Sequence, residues 1–318
     1  MNSYLSQTPL PLLAIEIGGT KLQLCVGTSH GTILDRRRCT VNPERGGEGI
    51  RSEIQRILPE LIALHRPAAI GVGYGGPVNW RTGQVVKSYH VPGWTGFSLG
   101  PWLKEISGLP VFVENDANAA ALGEAIHGAG RGFDPVFYVT IGSGMGGGLI
   151  HEARIYHGAS PTEAEIGHLA LDRSRLRPED VCSGWSIDRG IREGLAKNPD
   201  SVLTRLCLGS PGGEARHLGL AITRKDSFAL RILETASGHI AHALSHVVHL
   251  FNPEILILGG GVSLLGEPLR TTVDSQLRPL LMDALLPGPE IRLSELREDA
   301  VPVGALALAA QRLQTSAI

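Results

Sequence analysis

The chain has 318 residues, long enough for two domains that each bury a core. Hydrophobic residues at 42% and charged residues at 19% exclude a disordered chain, and a formal net charge of −2 excludes a global field that would draw it to nucleic acid or to an anionic membrane. No run approaches the roughly eighteen uninterrupted apolar residues of a membrane helix. Residues 1–12 lack the basic start and apolar stretch of a secretory signal, and the four cysteines (Cys25, Cys39, Cys182, Cys207) include no Cys-x-x-Cys pair, so a reduced cytoplasm is the expected location.

The first predicted strand, Leu13-Ala-Ile-Glu-Ile-Gly-Gly-Thr20, stops at glycines and is followed by strand-like Lys21–Val26, which makes the glycines a hairpin tip. Apolar spacing predicts a helix over Ile50–Leu64. A second strand, from Ala69, runs into Gly75-Gly76. Val111–Val113 then delivers Asn115 and Asp116 to the start of a helix over Ala117–Ile126. Val136-Phe-Tyr-Val-Thr-Ile-Gly-Ser-Gly144 repeats the first pattern, and extended Gly147–His151 after it predicts a second hairpin tip. Phe228–Leu250 is the longest helix, and Ile255–Leu258 is a strand ending in Gly259-Gly260-Gly261. Alternating strands and helices argue for an α/β fold, and the recurring strand-then-glycine turns suggest duplicated domains facing a shared cleft.

Gly142–Gly147 satisfies G-x-G-x-x-G, but a dinucleotide fingerprint must open a helix, and the residues that follow are extended. No P-loop pattern is present. The two tips read instead as glycine-lined phosphate cradles, with Thr20 and Lys21 at the first and Thr140 and Ser143 at the second. Plain tight hairpins are the alternative. At the third segment, Asn115 or Asp116 caps the helix, or Asp116 accepts the proton of an attacking hydroxyl while Asn115 holds the substrate. Both readings stay open. Glu163-Ala-Glu-Ile-Gly-His168 has the polar groups that grip sugar hydroxyls, and also the composition of a surface turn.

Together these segments resemble the ROK family of bacterial sugar kinases and repressors, within the actin-like ATPase superfamily. The resemblance rests on Glu16-Ile-Gly-Gly-Thr-Lys21, Glu114-Asn-Asp-Ala-Asn-Ala-Ala-Ala-Leu-Gly-Glu124, Thr140-Ile-Gly-Ser-Gly-Met-Gly-Gly-Gly148, Glu165–His168, Leu258-Gly-Gly-Gly-Val262 and Val303-Gly-Ala-Leu306, in family order from about residue 12 to 310. It implies two actin-like (ribonuclease H-like) ATPase domains with an interdomain active-site cleft. The expected bounds are 1–115 plus 300–318 for the first domain and 116–299 for the second.

The resemblance also implies roles. Asp116 corresponds to the catalytic base, and Asn115, Glu165 and His168 to sugar contacts, with Gly75, Gly76 and His90 beside the sugar pocket. Gly18, Gly19, Thr20 and Lys21 belong to the first phosphate motif, and Thr140, Gly142, Ser143 and Gly144 to the second. Gly259, Gly260 and Gly261 form the turn near the nucleotide. The implied reaction passes the γ-phosphate of ATP in line to a hydroxyl, usually O6, of a hexose or N-acetylhexosamine, with Mg²⁺ bridging ATP oxygens. Alternatives are a polyphosphate-dependent glucokinase and a non-catalytic sugar sensor. Against the sensor, only about a dozen residues precede the first strand, too few for a DNA-binding helix-turn-helix. A homodimer is expected, without nucleic-acid or membrane partners.

The sequence departs from the family pattern in three places. After His168 only Cys182 lies where relatives carry a zinc module, so no structural zinc is expected and His168 is left to serve the sugar alone. Glu16 stands where many relatives have Asp, and His90 where Asn is common. Outside the pattern, His239, His242, His246 and His249 share a helix face, and the His242–His246 pair has the spacing of two metal ligands.

Overall fold

The computed structural model describes residues 10–316 apart from 20, 89–90 and 210–211. In chain order the strands and α-helices are β1 (Leu12–Ile17), β2 (Lys21–Gly27), β3 (Ile33–Thr40), α1 (Gly46–His65), β4 (Ile70–Tyr74), β5 (Val78–Asn79), β6 (Gln84–Val85), α2 (Leu99–Ser107), β7 (Val111–Asn115) and α3 (Asp116–His127). There follow β8 (Val136–Ile141), β9 (Met145–His151), β10 (Arg154–Ile155), α4 (Pro178–Cys182), α5 (Gly184–Gly194), α6 (Val202–Cys207), α7 (Leu218–Thr223), α8 (Ser227–Phe251), β11 (Ile255–Gly259), α9 (Glu267–Leu277), β12 (Glu290–Leu293) and α10 (Ala300–Ser316). None of the described helices is long and apolar enough to cross a membrane.

These elements pack as two compact units. One takes Met1–Arg131, Ala153–Glu163 and Glu298–Ile318, the other Gly132–Glu152 and Ala164–Arg297. The first unit thus includes α3 and a short later segment, whereas the sequence reading placed everything from 116 to 299 in the second. The reason is backbone packing between α3 and α10. Gly123 and Gly304 sit where those helices touch, and a Cβ on Gly123 would fall 2.6 Å from the Ala300 carbonyl oxygen. This close packing places α3 in the first unit with α10.

In the first unit the sheet order is β3-β2-β1-β4-β7. β1 pairs antiparallel with β2, and Ile17 opposite Leu22 sets the tip, while β4 and β7 run parallel to β1. Side chains alternate across the strands. Leu13, Ile15 and Ile17 pack on the apolar stripe of α1 (Ile54, Ile57, Leu58, Leu61), and Leu12 and Ala14 face Ala305, Leu306 and Ala309 of α10.

The second unit repeats the plan. Its strands run β9-β8-β11-β12, with β8 and β9 antiparallel and β11 and β12 parallel to β8, the relationship seen among β2, β1, β4 and β7. Ile141 opposite Met145 places the second tip at Gly142–Gly144. The long α8 is capped by Asp226, whose carboxylate accepts from Ala229 N–H at 2.8 Å, and it ends where Asn252 adopts φ 43°. Ile240, Leu244 and Val247 of α8 are buried in this unit's core.

Candidate active site

In the first unit the glycine tip and the start of α3 converge. Gly18 N–H donates to Lys21 carbonyl at 2.8 Å, closing the tip, and Gly75 N–H donates to Ile17 carbonyl at 2.8 Å. A Cβ on Gly75 would lie 3.3 Å from Asp116 Oδ2 and 3.5 Å from Gly18 Cα, so glycine lets the carboxylate and the tip meet there. Gly19 lines the same small crevice as Gly18 and Gly75, with Tyr74, Ser88 and Trp94. Burial pushes the Tyr74 phenol up, and the Asp116 charge adds to that. Lys21 reaches back to Glu16 at 3.2 Å, and Gln23 also donates to Glu16, so the tip's ammonium is held by a carboxylate of its own hairpin. Thr20 and His90 lie outside the described residues.

Asn115 caps α3. Its Oδ1 accepts from Ala117 N–H at 2.9 Å and from Asn118 N–H at 3.2 Å, while Nδ2 donates to the Gly76 carbonyl at 3.1 Å. Asp116 Oδ1 accepts from Ala117 N–H at 2.8 Å. The capping role therefore falls mainly on Asn115, which also ties the Gly76 turn to α3. Asp116 presents Oδ2 toward Gly75.

Behind this turn lies a polar group that the sequence reading passed over. Glu114 is 2% exposed. It accepts from Asn115 N–H at 2.9 Å and Asn118 Nδ2 at 3.1 Å, and bonds His157 Nε2 at 2.6 Å. Asn118 Nδ2 also donates to Glu163 at 2.7 Å, and His157 stacks on Trp80. Glu114, His157 and Glu163 are the one set of three close metal-ligating side chains among the described residues. The Asn118 amide nitrogen bridges the two carboxylates and the imidazole bonds Glu114, while Asn118 Oδ1 is buried without a partner. No local motif signals this network, because its members are brought together from β7, α3 and the segment after β10.

The histidines of α8 are not such a set. The His242 and His246 rings stack 5.3 Å apart, and burial pulls His239 and His246 down. His249 is fixed between Ser245 carbonyl, 2.7 Å from Nδ1, and Met282 N–H, 3.3 Å from Nε2.

In the second unit the tip is braced from below. Gly142 N–H donates to Gly144 carbonyl at 2.9 Å, Gly184 N–H to Gly142 carbonyl at 2.7 Å, and Met145 N–H to Glu179 at 3.0 Å. Thr140 lies at the end of β8, opposite Gly146 and Gly259. Gly260 has φ 78°, and a Cβ there would come within 2.6 Å of the Ile141 backbone, so this turn admits only glycine. Gly142, Ser143 and Gly261 border a cavity of about 530 Å³, whose other walls include Trp185, Ile187, Leu218, Val262, Leu264 and Leu265, with Asp188 and Arg216 as polar groups. That volume and apolar lining suit the base and ribose of a nucleotide. Sequence reasoning found its glycine rim and Val262 but not its other walls, which come mainly from α5, α7 and the turn after β11.

Glu165 and His168 flank a single turn of 3-10 helix over Ile166–His168. A Cβ on Gly167 would lie 2.1 Å from the Met145 carbonyl oxygen, so glycine seats this turn on β9. Glu165 Oε2 and His168 Nε2 stand 4.0 Å apart, the carboxylate part-exposed and the imidazole exposed. His168 is not left to the sugar alone, as expected above: Arg177 Nη1 lies 3.3 Å from His168 Nδ1.

The two units define a protein of the actin-like ATPase kind, with paired α/β domains that each carry a glycine tip on a hairpin. The chain belongs to the ROK family, which it matches over residues 12–312. It is 32% identical over 312 residues to the glucokinase of Thermotoga maritima, covering 96% of this chain and 98% of that one. Among solved structures, a ROK family glucokinase from Streptomyces griseus in complex with glucose and AMPPNP superposes with a TM-score of 0.85 at 31% identity, covering 95% of this chain and 99% of that one. The inorganic polyphosphate/ATP-glucomannokinase of Arthrobacter sp. superposes with a TM-score of 0.65 at 26% identity, covering 95% and 99%.

Proposed function

We propose that this ROK protein is an ATP-dependent sugar kinase that phosphorylates a hydroxyl, O6 by family analogy, of a hexose or N-acetylhexosamine, with Asp116 as general base. The observation that carries the reading is the meeting of Asp116 Oδ2 with Gly75 beside the Gly18 tip. A carboxylate at this strand-to-helix junction has the chemistry to accept the proton of an incoming hydroxyl. In the transfer, the sugar oxygen forms a bond to the γ-phosphorus as its proton passes to Asp116, and the bond from γ-phosphorus to the bridging oxygen breaks to release ADP.

Catalysis of this kind comes from positioning and from neutralising charge rather than from covalent chemistry of the protein. The glycine tips offer backbone N–H groups to phosphate oxygens. Glu165 and His168 hold sugar hydroxyls. Mg²⁺ takes oxygen ligands, so the Glu16 carboxylate of the first hairpin is the chemically suitable protein group there, and the ion would offset phosphate charge.

ATP is favoured over polyphosphate as donor by the largely apolar cavity behind the second tip, since polyphosphate has no base to fill it. The relative from Arthrobacter whose name carries both donors keeps polyphosphate as the second reading. Four free thiols, three of them buried, accord with a reducing cytoplasm, and a homodimer is the expected assembly.

The test is ADP release across glucose, mannose, fructose, allose, N-acetylglucosamine and N-acetylmannosamine with Mg²⁺, repeated with Asp116→Asn and with polyphosphate. Turnover on one sugar that falls by about 10²- to 10⁴-fold in the variant, with sugar binding retained, is the expected result. Silence with both donors would overturn the kinase reading. Turnover undiminished in Asp116→Asn would overturn the role of Asp116.

A further inference from the structure

The imidazole of His168 has two nitrogens in different surroundings. Nε2 faces Glu165 Oε2 across 4.0 Å, and Nδ1 faces Arg177 Nη1 at 3.3 Å. A guanidinium has donors and no acceptor. Whatever bonds it at Nδ1 must offer a lone pair, so Nδ1 carries no proton and the proton of the neutral ring sits on Nε2. Arg177 is itself held on its other edge, where Nε and Nη2 donate to the two oxygens of Asp180, each at 2.8 Å. That bidentate pairing leaves Nη1 turned to the histidine. Asp180 is fixed in turn, because its own carbonyl accepts from Arg189 Nη2 at 2.7 Å.

We propose that Arg177 is a positioning residue that sets the tautomer of His168, so that Nε2–H donates to a sugar oxygen while Glu165 accepts. The 4.0 Å between Nε2 and the Glu165 carboxylate is wider than a direct hydrogen bond, and a substrate hydroxyl meeting both groups would receive a proton from one and give its own to the other. With the opposite tautomer, Nε2 would be an acceptor beside an acceptor, and a single hydroxyl has one proton to share between them. The Asp180–Arg177–His168 chain thereby makes the sugar site read a donor-acceptor group. This inference deepens the kinase reading and rests on it for the substrate, whereas the tautomer itself does not.

Two measurements separate the parts. Nitrogen-15 correlation spectra of the His168 ring, recorded on the whole protein above pH 7 without sugar, should show a protonated Nε2 and a bare Nδ1. Arg177→Lys keeps a donor-only partner and should preserve that pattern, whereas Arg177→Ala should shift the ring to a mixture. A protonated Nδ1 in the unsubstituted protein overturns the proposal, whether or not any kinase activity is found. In steady-state kinetics on the accepted sugar, Arg177→Ala should raise the sugar KM by about tenfold, the loss of one well-oriented hydrogen bond. The ATP KM should stay put, and Arg177→Lys should restore part of the sugar effect. A sugar KM unmoved in Arg177→Ala, with the tautomer changed, overturns the orienting role. Equal melting temperatures for both variants would exclude misfolding as the cause.

Discussion

Gly75 leaves room for the Asp116 carboxylate: a β-carbon on Gly75 would stand 3.3 Å from the Asp116 Oδ2 atom and equally close to the Ile17 carbonyl oxygen. The backbone oxygen belongs to the sheet and does not move, so the carboxylate would have to yield. Gly75→Ala should leave the protein folded and displace the proposed base by a few tenths of an ångström. A loss of about 10- to 100-fold in kcat is expected from such a misplacement. Steady-state kinetics alongside circular dichroism would check it, and an undiminished kcat would show that Asp116 tolerates the shift.

Gly304 and Gly190 make a contrasting pair for stability. A Cβ on Gly304 would lie 1.6 Å from the Ala119 carbonyl oxygen, a backbone clash between α10 and α3 that no rotamer relieves. Gly304→Ala should destabilise the first unit by about 3 kcal/mol or more, the upper range of overpacking. Gly190, within α5, has open space around its Cβ position. Gly190→Ala should be neutral or stabilising by up to about 1 kcal/mol, since alanine is the better helix former. Thermal melts of both variants would decide.

Glu214 ties a short turn beside the second unit's cavity. Arg192 donates to its two oxygens, each at 2.9 Å, and Gly212 N–H adds a third bond at 3.0 Å. The Arg192 hydrogen bonds foremost hold the carboxyl down to about 2, outweighing burial, which pushes it up, with the Gly212 N–H adding to the lowering. A depressed folded value contributes stability that is complete above the ordinary carboxylate range near 4.5 and is lost as pH falls toward 2. Wild type should therefore exceed Glu214→Gln in melting temperature at pH 6, with the gap closing as pH falls through 4 and 3. A gap independent of pH would rule out this charge as its source.

The thiols differ in reach. Burial pushes Cys25 up to about 11 and Cys182 up to about 12, and both are fully buried. Cys207 is buried as well, while Cys39 is half-buried beside Glu53. The thiolate is the reactive form. Titration of the native protein with a thiol reagent should consume one equivalent, at Cys39, well before the other three, which should react only on denaturation. Peptide mapping of the first-labelled cysteine would test this.

Much of the site was legible because its chemistry is local. A strand running into Gly18-Gly19 and out again through Lys21 is a hairpin by its own pattern, and the register of Ile17 with Leu22 agrees. The same holds for Gly142–Gly144, and the helices expected from Ile50, Ala117 and Phe228 form with only small extensions at their ends. Glu165, by contrast, gives no local sign of its partner's partner: Arg177 is nine residues past His168, in a stretch whose most visible feature was the lack of cysteines. The Glu114–His157 bond spans 43 residues and was equally hidden.

By itself, then, the sequence determined the α/β class, the two glycine tips, the position of Asp116 at a strand-to-helix junction and the family to which the chain belongs. Periodicity and turn chemistry act over a few residues, so a single segment carries them. Tertiary structure alone decided that α3 joins the first unit through Gly123 and Gly304, that Asn115 rather than Asp116 bears most of the cap, and that His168 leans on Arg177. Each of these depends on which distant backbones and side chains come within a few ångströms, and that distance is set by packing of the whole unit rather than by any local run of residues.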